Sequence, residues 1–304
     1  MKTLHRLLGA IGLAASLSAV APLVSAEESQ FAYVYTTDLL PQGAKEVEQW
    51  LTWRHQKLGP FDELEGRTEV EYGLTDRLQV AVYANYAWTR ADHNGPFGAT
   101  TPAEQFADYS ADPDSHFSAR RFVGLSAEAI YRVLSPYTDP VGLALYVEPT
   151  IGPKFREVES KIILQKNFLD DRLVTAFNFT YAPEWRYLPS DDNPAVSKWQ
   201  EETDVNFNLA ASYRFTSNWS AGIEFLNERE FNSFNFSHES NSGYYIGPTI
   251  HYGGKKFFVT AAFLTQLPWA QKHADSVDGA IVSGRTYDND FEKYRIRVKA
   301  GYYF

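Results

Sequence analysis

Residues 61–89 decide the fold, and they read FDELEGRTEVEYGLTDRLQVAVYANYAWT. Alternate positions in the first half are charged, while the positions between them are largely apolar. The charged positions are Glu63, Glu65, Arg67, Glu69 and Glu71. After a turn at residues 75–77, apolar side chains again occupy every second position, from Leu78 to Trp88. A period of two residues belongs to a β-strand, so the stretch predicts a β-hairpin with one polar and one apolar face.

The same alternation recurs along the chain, most clearly in residues 202–214 and 293–304. Strands of about ten residues with one polar and one apolar face are typical of a membrane barrel, whose wall separates lipid from a polar lumen. The sequence therefore predicts an all-β fold, a transmembrane antiparallel up-and-down β-barrel of about twelve strands. The predicted strands lie near residues 44–56, 61–74, 78–89, 119–134, 141–155, 158–167, 172–186, 200–214, 219–229, 242–252, 256–266 and 291–304.

The lengths of the links between strands support a barrel. If both ends of the chain lie in the periplasm, short inner turns should alternate with longer outer loops. A soluble β-sandwich, the alternative, has no reason to separate loop lengths in this way. Short links are expected at 75–77, 135–140, 168–171, 215–218 and 253–255, and long ones at 90–118, 187–199, 230–241 and 267–290.

Aromatic residues near the strand ends fit two interfacial girdles, although aromatic residues also favour strands in general. The tryptophans concerned are Trp50, Trp53, Trp88, Trp185, Trp199, Trp219 and Trp269.

The N-terminal region predicts export. Residues 1–26 combine Lys2 and Arg6 with an apolar run and a small-residue pattern at Val24-Ser25-Ala26, as in a cleaved secretory signal. A membrane anchor, the alternative, would be followed by a charged stop-transfer segment. We therefore expect three parts: a cleaved signal over residues 1–26, a periplasmic or plug-like segment over 27–43, and the barrel over 44–304.

Composition excludes several kinds of function. The chain has no cysteine, which removes disulfides, zinc–thiolate sites and cysteine nucleophiles. Loss of the signal leaves 26 basic residues against 38 acidic ones, so the net charge falls from -10 to -12. This balance argues against a nucleic-acid partner.

Three sequence resemblances point to the same place. The ending, with Phe304 last and Tyr302 two positions before it, resembles the signal by which outer-membrane barrels are recognised for assembly. The opening FAYVYTTDLLP at residues 31–41, followed by EVEQW at 46–50, resembles an uncharacterised family of Gram-negative outer-membrane proteins. YGLTDR at residues 72–77 and GPT at 247–249 are similar to segments of outer-membrane channels linked to the uptake of aromatic compounds.

Inward-facing charge is predicted to form two rows. The acidic row on the first two strands contains Glu46, Glu48, Glu63, Glu65, Glu69 and Glu71, with Arg67 among them. The basic row on the last strand contains Lys293, Arg295, Arg297 and Lys299. Because closure pairs the last strand with the first, the rows would stand side by side and set a field across the lumen. They would either tune a polar passage or form a salt-bridge lattice that pins the seam and fills the interior.

One segment suggests chemistry. His238-Glu239-Ser240-Asn241 resembles the segment that carries the catalytic His and Ser of outer-membrane phospholipases and lipid A deacylases. There, the His activates the Ser for attack on an ester. An orienting residue is missing, because Tyr252 stands where those families would place one. The spacings of the His and Asp residues in the long loops match neither an EF-hand nor a zinc pattern, so we predict no metal site and no cofactor.

The leading functional hypothesis is a porin-like channel in the bacterial outer membrane for passive uptake of small solutes. A non-conducting structural barrel is the alternative, and a lipid esterase using His238 and Ser240 is a third. The expected partners are outer-membrane lipid, the barrel-assembly machinery and a small solute that the sequence does not identify.

Overall fold

The computed structural model describes residues 29–109, 111–190, 193–270, 279–282 and 285–304. The predicted signal at residues 1–26 lies outside these ranges. Among the described residues, no helix is long and apolar enough to cross a membrane.

Twelve antiparallel strands close into one barrel, which confirms the predicted fold class. Its strands are β1 Lys45–His55, β2 Phe61–Thr75, β3 Leu78–Ala91, β4 Phe117–Leu134, β5 Gly142–Ile151, β6 Phe155–Phe168, β7 Leu173–Ser190, β8 Asn193–Arg214, β9 Trp219–Phe231, β10 Glu239–Gly253, β11 Phe257–Gln266 and β14 Tyr294–Tyr303. Two short strands, β12 Gly279–Val282 and β13 Arg285–Asp288, form a separate hairpin between β11 and β14. The first long outer loop contains two 3-10 turns, Pro96–Gly98 and Glu104–Phe106.

The barrel closes where β1 pairs with β14. Val47 lies opposite Tyr302 and Thr52 lies opposite Arg297 in this antiparallel register. Each strand otherwise pairs with its neighbours in chain order, and β11 pairs with β14. Closure leaves no free sheet edge, which is the condition for a sheet to cross a membrane. We call the end with the short turns, where β1 begins and β14 ends, the inner end.

Exposure alternates along the strands as the sequence pattern requires. On β1, the side chains of Glu46 and Glu48 are 0% and 1% exposed, whereas those of Val47 and Leu51 are 39% and 41% exposed. The polar parity therefore faces the lumen and the apolar parity faces outward.

Two of the predicted long outer loops contain strands. Within residues 187–199, β7 continues to Ser190 and β8 begins at Asn193, so the hairpin extends outward beyond its neighbours. Proline and short polar residues in this stretch indicate a loop by composition, and a strand beyond the membrane needs no apolar face. Within residues 267–290, β12 and β13 are too short for alternation to reveal them.

Trp50 does not belong to a girdle. Its ring is buried in the lumen, 8% exposed, and three cations lie over it: Arg67, Arg297 and Lys299. Its position among Glu46, Glu48 and Thr52 on the inward parity of β1 already implied this. By contrast, Trp53 and Trp88 face outward and are 40% and 38% exposed.

Candidate functional site in the lumen

Residues 29–43, which we call the N-terminal segment, lie inside the barrel. The carboxylate of Glu224, on β9, accepts three main-chain hydrogen bonds from it. The donors are the N–H groups of Ala32 and Tyr33, at 2.8 Å each, and of Val34, at 3.1 Å. Glu224 is fully buried. Charge-assisted hydrogen bonds replace the lost hydration of such a carboxylate, so Glu224 fixes the backbone of the segment while its own charge is satisfied.

Amide side chains from the wall hold the rest of the segment. Three main-chain N–H groups each donate to one amide oxygen at 2.7 Å: Tyr35 to Asn178, Thr37 to Gln165 and Leu40 to Gln79. Asn178 also donates to the Tyr35 carbonyl at 2.9 Å. These anchors follow one another from β9 to β3, two strands on opposite sides of the ring. The segment therefore crosses the full width of the lumen.

Apolar contacts reinforce these hydrogen bonds. Phe31 is fully buried against inward-facing apolar side chains of β7 to β11. Those side chains are Val174, Ala176, Ala210, Leu226, Tyr245, Ala262 and Leu264. Burying a phenylalanine side chain contributes about 2–3 kcal/mol. Near the inner end, a Cβ on Gly73 would lie 2.2 Å from the Pro41 carbonyl oxygen, so glycine on β2 lets the segment approach the wall.

The acidic row divides between the two halves of the lumen. Glu46, Glu48, Glu69 and Glu71 lie buried towards the inner end, where Glu46 faces Glu71 and Glu48 faces Glu69 across β1 and β2. Lys299 Nζ lies 3.5 Å from Glu48 Oε1 across the seam. The Gln79 amide, which binds Leu40, also donates to Glu71. Glu71 thus supports an anchor of the N-terminal segment.

The other members of the two rows lie further out. Arg54, which sequence analysis did not select, pairs with Glu65 at 3.1 Å and lies 3.9 Å from Glu63. Arg67 Nη2 lies 3.5 Å from Glu148 Oε1 on β5. The lumen charges therefore meet across the barrel as well as along its seam.

Arg295 forms the strongest ion pairs in the basic row. It is 1% exposed, contacts Glu228 on β9 at 2.6 Å, and also pairs with Glu292. Lys293 precedes β14, is half-buried, and bonds through its main chain to Gln56 and Gln266.

Glu292 carries a strongly shifted pKa. Burial raises the pKa of this loop carboxyl, but the facing guanidinium groups of Arg295 and Arg54 outweigh that effect and bring the pKa to about 2. The carboxylate form is thus strongly favoured in the folded barrel.

Outward of the N-terminal segment, the lumen keeps open space in two connected compartments. The deeper one has a volume of about 300 Å³, and Tyr33 and Tyr35 of the segment form part of its lining. The outer one has a volume of about 180 Å³. Both are lined by Arg54, Glu65, Glu104, Asp204, Asn206 and Glu228. We call the two compartments together the chamber.

Outer loops cover the chamber. The Asn289 side chain donates to the Asn94 carbonyl at 3.1 Å and accepts from the Leu58 N–H at 2.7 Å, so three outer loops are joined at one residue. Glu104, from the first long loop, reaches Arg186 on β7.

Sequence reasoning missed the wall opposite the seam. Its inward-facing charges line the chamber from β6 to β9 and include Glu157, Glu184, Arg186, Asp204, Glu228 and Glu230. They occupy the polar parity of their strands, but they are spread over four strands, so no single stretch of sequence displays them as a row.

Two groups of three carboxylates in the described part of the chain lie close enough to share a metal ion. Glu48, Glu69 and Glu71 form one, and Glu104, Glu184 and Glu202 form the other. The second group surrounds Arg186, which contacts all three members, so one guanidinium offsets part of its negative charge.

The candidate esterase residues lie at the outer rim. His238 is exposed in the loop before β10. The Ser240 hydroxyl donates to the main-chain carbonyl of Glu230 at 3.1 Å, so its proton is engaged by a carbonyl and not by a base.

The residues of the predicted assembly signal lie at the inner end of β14. Tyr302 and Phe304 are 47% and 65% exposed, and the Phe304 N–H donates to the Lys45 carbonyl at 3.0 Å.

Comparison with known proteins identifies a family and a fold. Residues 23–304 match a family described as a family of unknown function, DUF6662. The fold is similar to that of the COG4313 outer membrane channel from Pseudomonas putida F1, with a TM-score of 0.56 and 11% identity over 88% of this chain and 98% of that one. The NanC porin aligns over 84% of this chain and 98% of its own, with a TM-score of 0.49 and 9% identity. A search of curated protein sequences finds no significant match.

Proposed function

The chain belongs to the DUF6662 family of unknown function, and we propose that it is an outer-membrane channel for passive uptake of small polar solutes, closed here by its N-terminal segment. The observation that carries this proposal is the chamber. Its lining is mostly charged and polar, and a side-chain-filled structural barrel has no need of such a space. A lumen of this kind conducts or selects by its charge rows.

The N-terminal segment is built as a closure. Main-chain N–H groups of residues 32–40 donate hydrogen bonds to the side chains of Glu224, Asn178, Gln165 and Gln79. Removal of the segment would leave these wall side chains able to bond to water. It would also expose the apolar patch around Leu226 to water. Because this exposure is unfavourable, the apolar contact stabilises the closed state.

A non-conducting barrel is the second candidate, because the buried Phe31 and the ion pairs across the lumen suit a permanently filled lumen.

An outer-membrane location suits either function. The outer membrane is where barrels of this fold occur, and we propose that exposed Phe304 and Tyr302 are read by the assembly machinery there.

The deciding experiment records single-channel currents in planar bilayers. It compares the refolded mature chain, a variant lacking residues 29–40, and a variant in which the same residues are replaced by a Gly-Ser sequence of equal length. We expect rare openings in the first and steady steps in both variants. If both variants fold, as judged by heat-dependent gel mobility, and neither conducts, the channel proposal fails and the structural barrel stands.

A further inference from the structure

Arg297 differs from the other arginines of the chamber. Arg54, Arg67, Arg186, Arg229 and Arg295 each have a carboxylate within 4.0 Å. In the described part of the chain, Arg297 has none. Its guanidinium donates instead to the Thr52 hydroxyl at 2.8 Å and to the Ala32 carbonyl at 3.4 Å.

The surroundings of Arg297 orient it towards the deeper compartment, which it lines. Its guanidinium carbon lies 4.0 Å from the centre of the Tyr33 ring and 5.1 Å from that of Trp50. A planar guanidinium held against aromatic rings keeps its N–H edge available for a carboxylate. This edge is therefore an anion subsite at the floor of the chamber.

Two further polar groups in the same compartment lack partners among the residues that the structure describes. The Thr180 hydroxyl and the Asn208 amide oxygen are buried and make no hydrogen bond to any of these residues, and both side chains line the cavity. Buried polar atoms in folded proteins are nearly always satisfied. Together with Arg297, they offer hydrogen-bonding groups to a polar ligand in this compartment.

Compared with the deeper compartment, whose lining has six basic and eight acidic side chains, the outer compartment is more acidic. Only three basic side chains line it, Arg54, Lys57 and Arg229, against eight acidic ones. The acidic ones are Glu63, Glu65, Glu104, Asp204, Glu228, Glu230, Asp290 and Glu292. Glu63 is 4% exposed, and its Oε1 has no hydrogen-bond partner within the described ranges of the chain. This compartment attracts a cation and repels a simple anion.

The spacing of these carboxylates favours an organic cation over a bare metal ion. Among the described residues, two groups of three carboxylates lie close enough to share a metal ion. Neither group consists only of carboxylates from these eight. An ammonium group needs only one or two carboxylates, because it also donates hydrogen bonds to neutral acceptors.

The two subsites lie within reach of one small molecule. Arg297 is opposite Thr52, and Glu63 is opposite Arg54 on the next strand. Glu63 is therefore two strands across and two residues along from Arg297, a Cα separation of about 12 Å at ordinary strand spacings. Both side chains point into the chamber and shorten this span.

We propose that the chamber binds a small zwitterion, whose carboxylate pairs with Arg297 and whose ammonium group faces the acidic compartment at Glu63. A simple anion would meet Arg297 only after crossing the acidic compartment, whereas a zwitterion is attracted by both. This assignment rests on the proposed channel function, for which it names the class of solute.

The test is saturation-transfer NMR on the refolded mature chain in detergent micelles. Propionate is β-alanine without its ammonium group, and ethylamine is β-alanine without its carboxylate. We expect saturable binding of β-alanine and binding at least about tenfold weaker for each of the other two, because each lacks one charged contact. Propionate that binds as tightly as β-alanine would overturn the assignment.

Variants locate the site. Arg297→Gln and Glu63→Gln should each weaken β-alanine binding at least about tenfold, and Arg297→Lys should restore part of it. Arg156→Gln is the matched control, because that exposed arginine lies outside the lumen over Trp199. Unchanged binding in folded Arg297→Gln refutes the proposal. If Arg297→Gln does not fold, unchanged binding in folded Glu63→Gln refutes it instead.

The NMR test and the current recordings fail independently. Binding in micelles requires no ion flow, so a barrel that binds β-alanine without conducting refutes the channel alone. A conducting barrel that does not bind β-alanine refutes the zwitterion alone.

Discussion

Replacing Glu224 with alanine should release the N-terminal segment from the lumen. The substitution removes one buried carboxylate that accepts three main-chain N–H groups, from Ala32, Tyr33 and Val34. A hydrogen bond to a charged group contributes about 1.5–3 kcal/mol. The lower value gives about 4.5 kcal/mol for the three, or about 4 kcal/mol after allowance for non-additivity. Since 1.4 kcal/mol corresponds to a tenfold change, the released state should gain about a thousandfold in population.

Hydrogen exchange measured by mass spectrometry can separate release from local damage. The amides of residues 32–34 lose their acceptor in Glu224→Ala whatever the segment does, so their exchange is not informative. The amides of Tyr35, Thr37 and Leu40 bond to other side chains, Asn178, Gln165 and Gln79. If the segment leaves as a unit, these amides should also exchange about a thousandfold faster.

Two further variants complete this experiment. Glu224→Gln retains an amide oxygen that can accept two N–H groups, so it should show an intermediate effect. Glu201→Ala removes an exposed carboxylate of β8 and should leave exchange unchanged. If Tyr35, Thr37 and Leu40 keep their protection in Glu224→Ala, Glu224 is not what holds the segment in place.

Three other predictions concern Glu292, Arg295 and Phe304. Because the pKa of Glu292 is lowered from 4.5 to about 2, its stabilising contribution is present above pH 4.5 and is lost as the pH falls to about 2; Glu292→Gln should flatten the thermal stability of the barrel over this interval. Arg295→Met should destabilise the barrel by about 3 kcal/mol in urea unfolding, because it removes the guanidinium that pairs with Glu228 and leaves the buried Glu292 with Arg54, whereas Arg156→Met should change little. Deletion of Phe304, which is 65% exposed, should leave refolding in vitro unchanged but lower the amount of barrel assembled in cells; equal amounts of both forms in the outer membrane would contradict the assigned signal.

The strand pattern was predictable because successive residues of each strand face two different environments. Lipid on one side and polar lumen on the other force the alternation seen around Glu63 and Glu69, and the twelve strands followed from it. Prediction failed where a strand extends beyond the apolar band, because alternation is no longer required there. The outer ends of β7 and β8 lie beyond the apolar band, so their composition indicated a loop.

The organisation of the lumen was only partly predictable. The charged side chains of β1, β2 and β14 are dense enough to be read as rows, and they do face inward. The opposing wall contributes charges such as Glu184, Asp204 and Glu228 from separate strands, and their proximity depends on closure and register. The role of Glu224 could not be read from sequence either, because its partners Ala32 to Val34 are about 190 positions away and use only their main chain.

The short connection between the N-terminal segment and β1 makes the closure a tethered ligand. Residues 41–44 join the anchored part of the segment, residues 32–40, to β1, so after release the segment stays beside the mouth from which it came. For a short flexible tether, the effective concentration is of the order of millimolar. Reclosure is then independent of protein concentration, and a soluble peptide copy of residues 29–40 would have to reach about that concentration to compete for the lumen. If the barrel is the channel we propose, a solute that opens it must therefore weaken the binding of the tethered segment to the lumen. The solute cannot lower the effective concentration of the segment, because the tether fixes it.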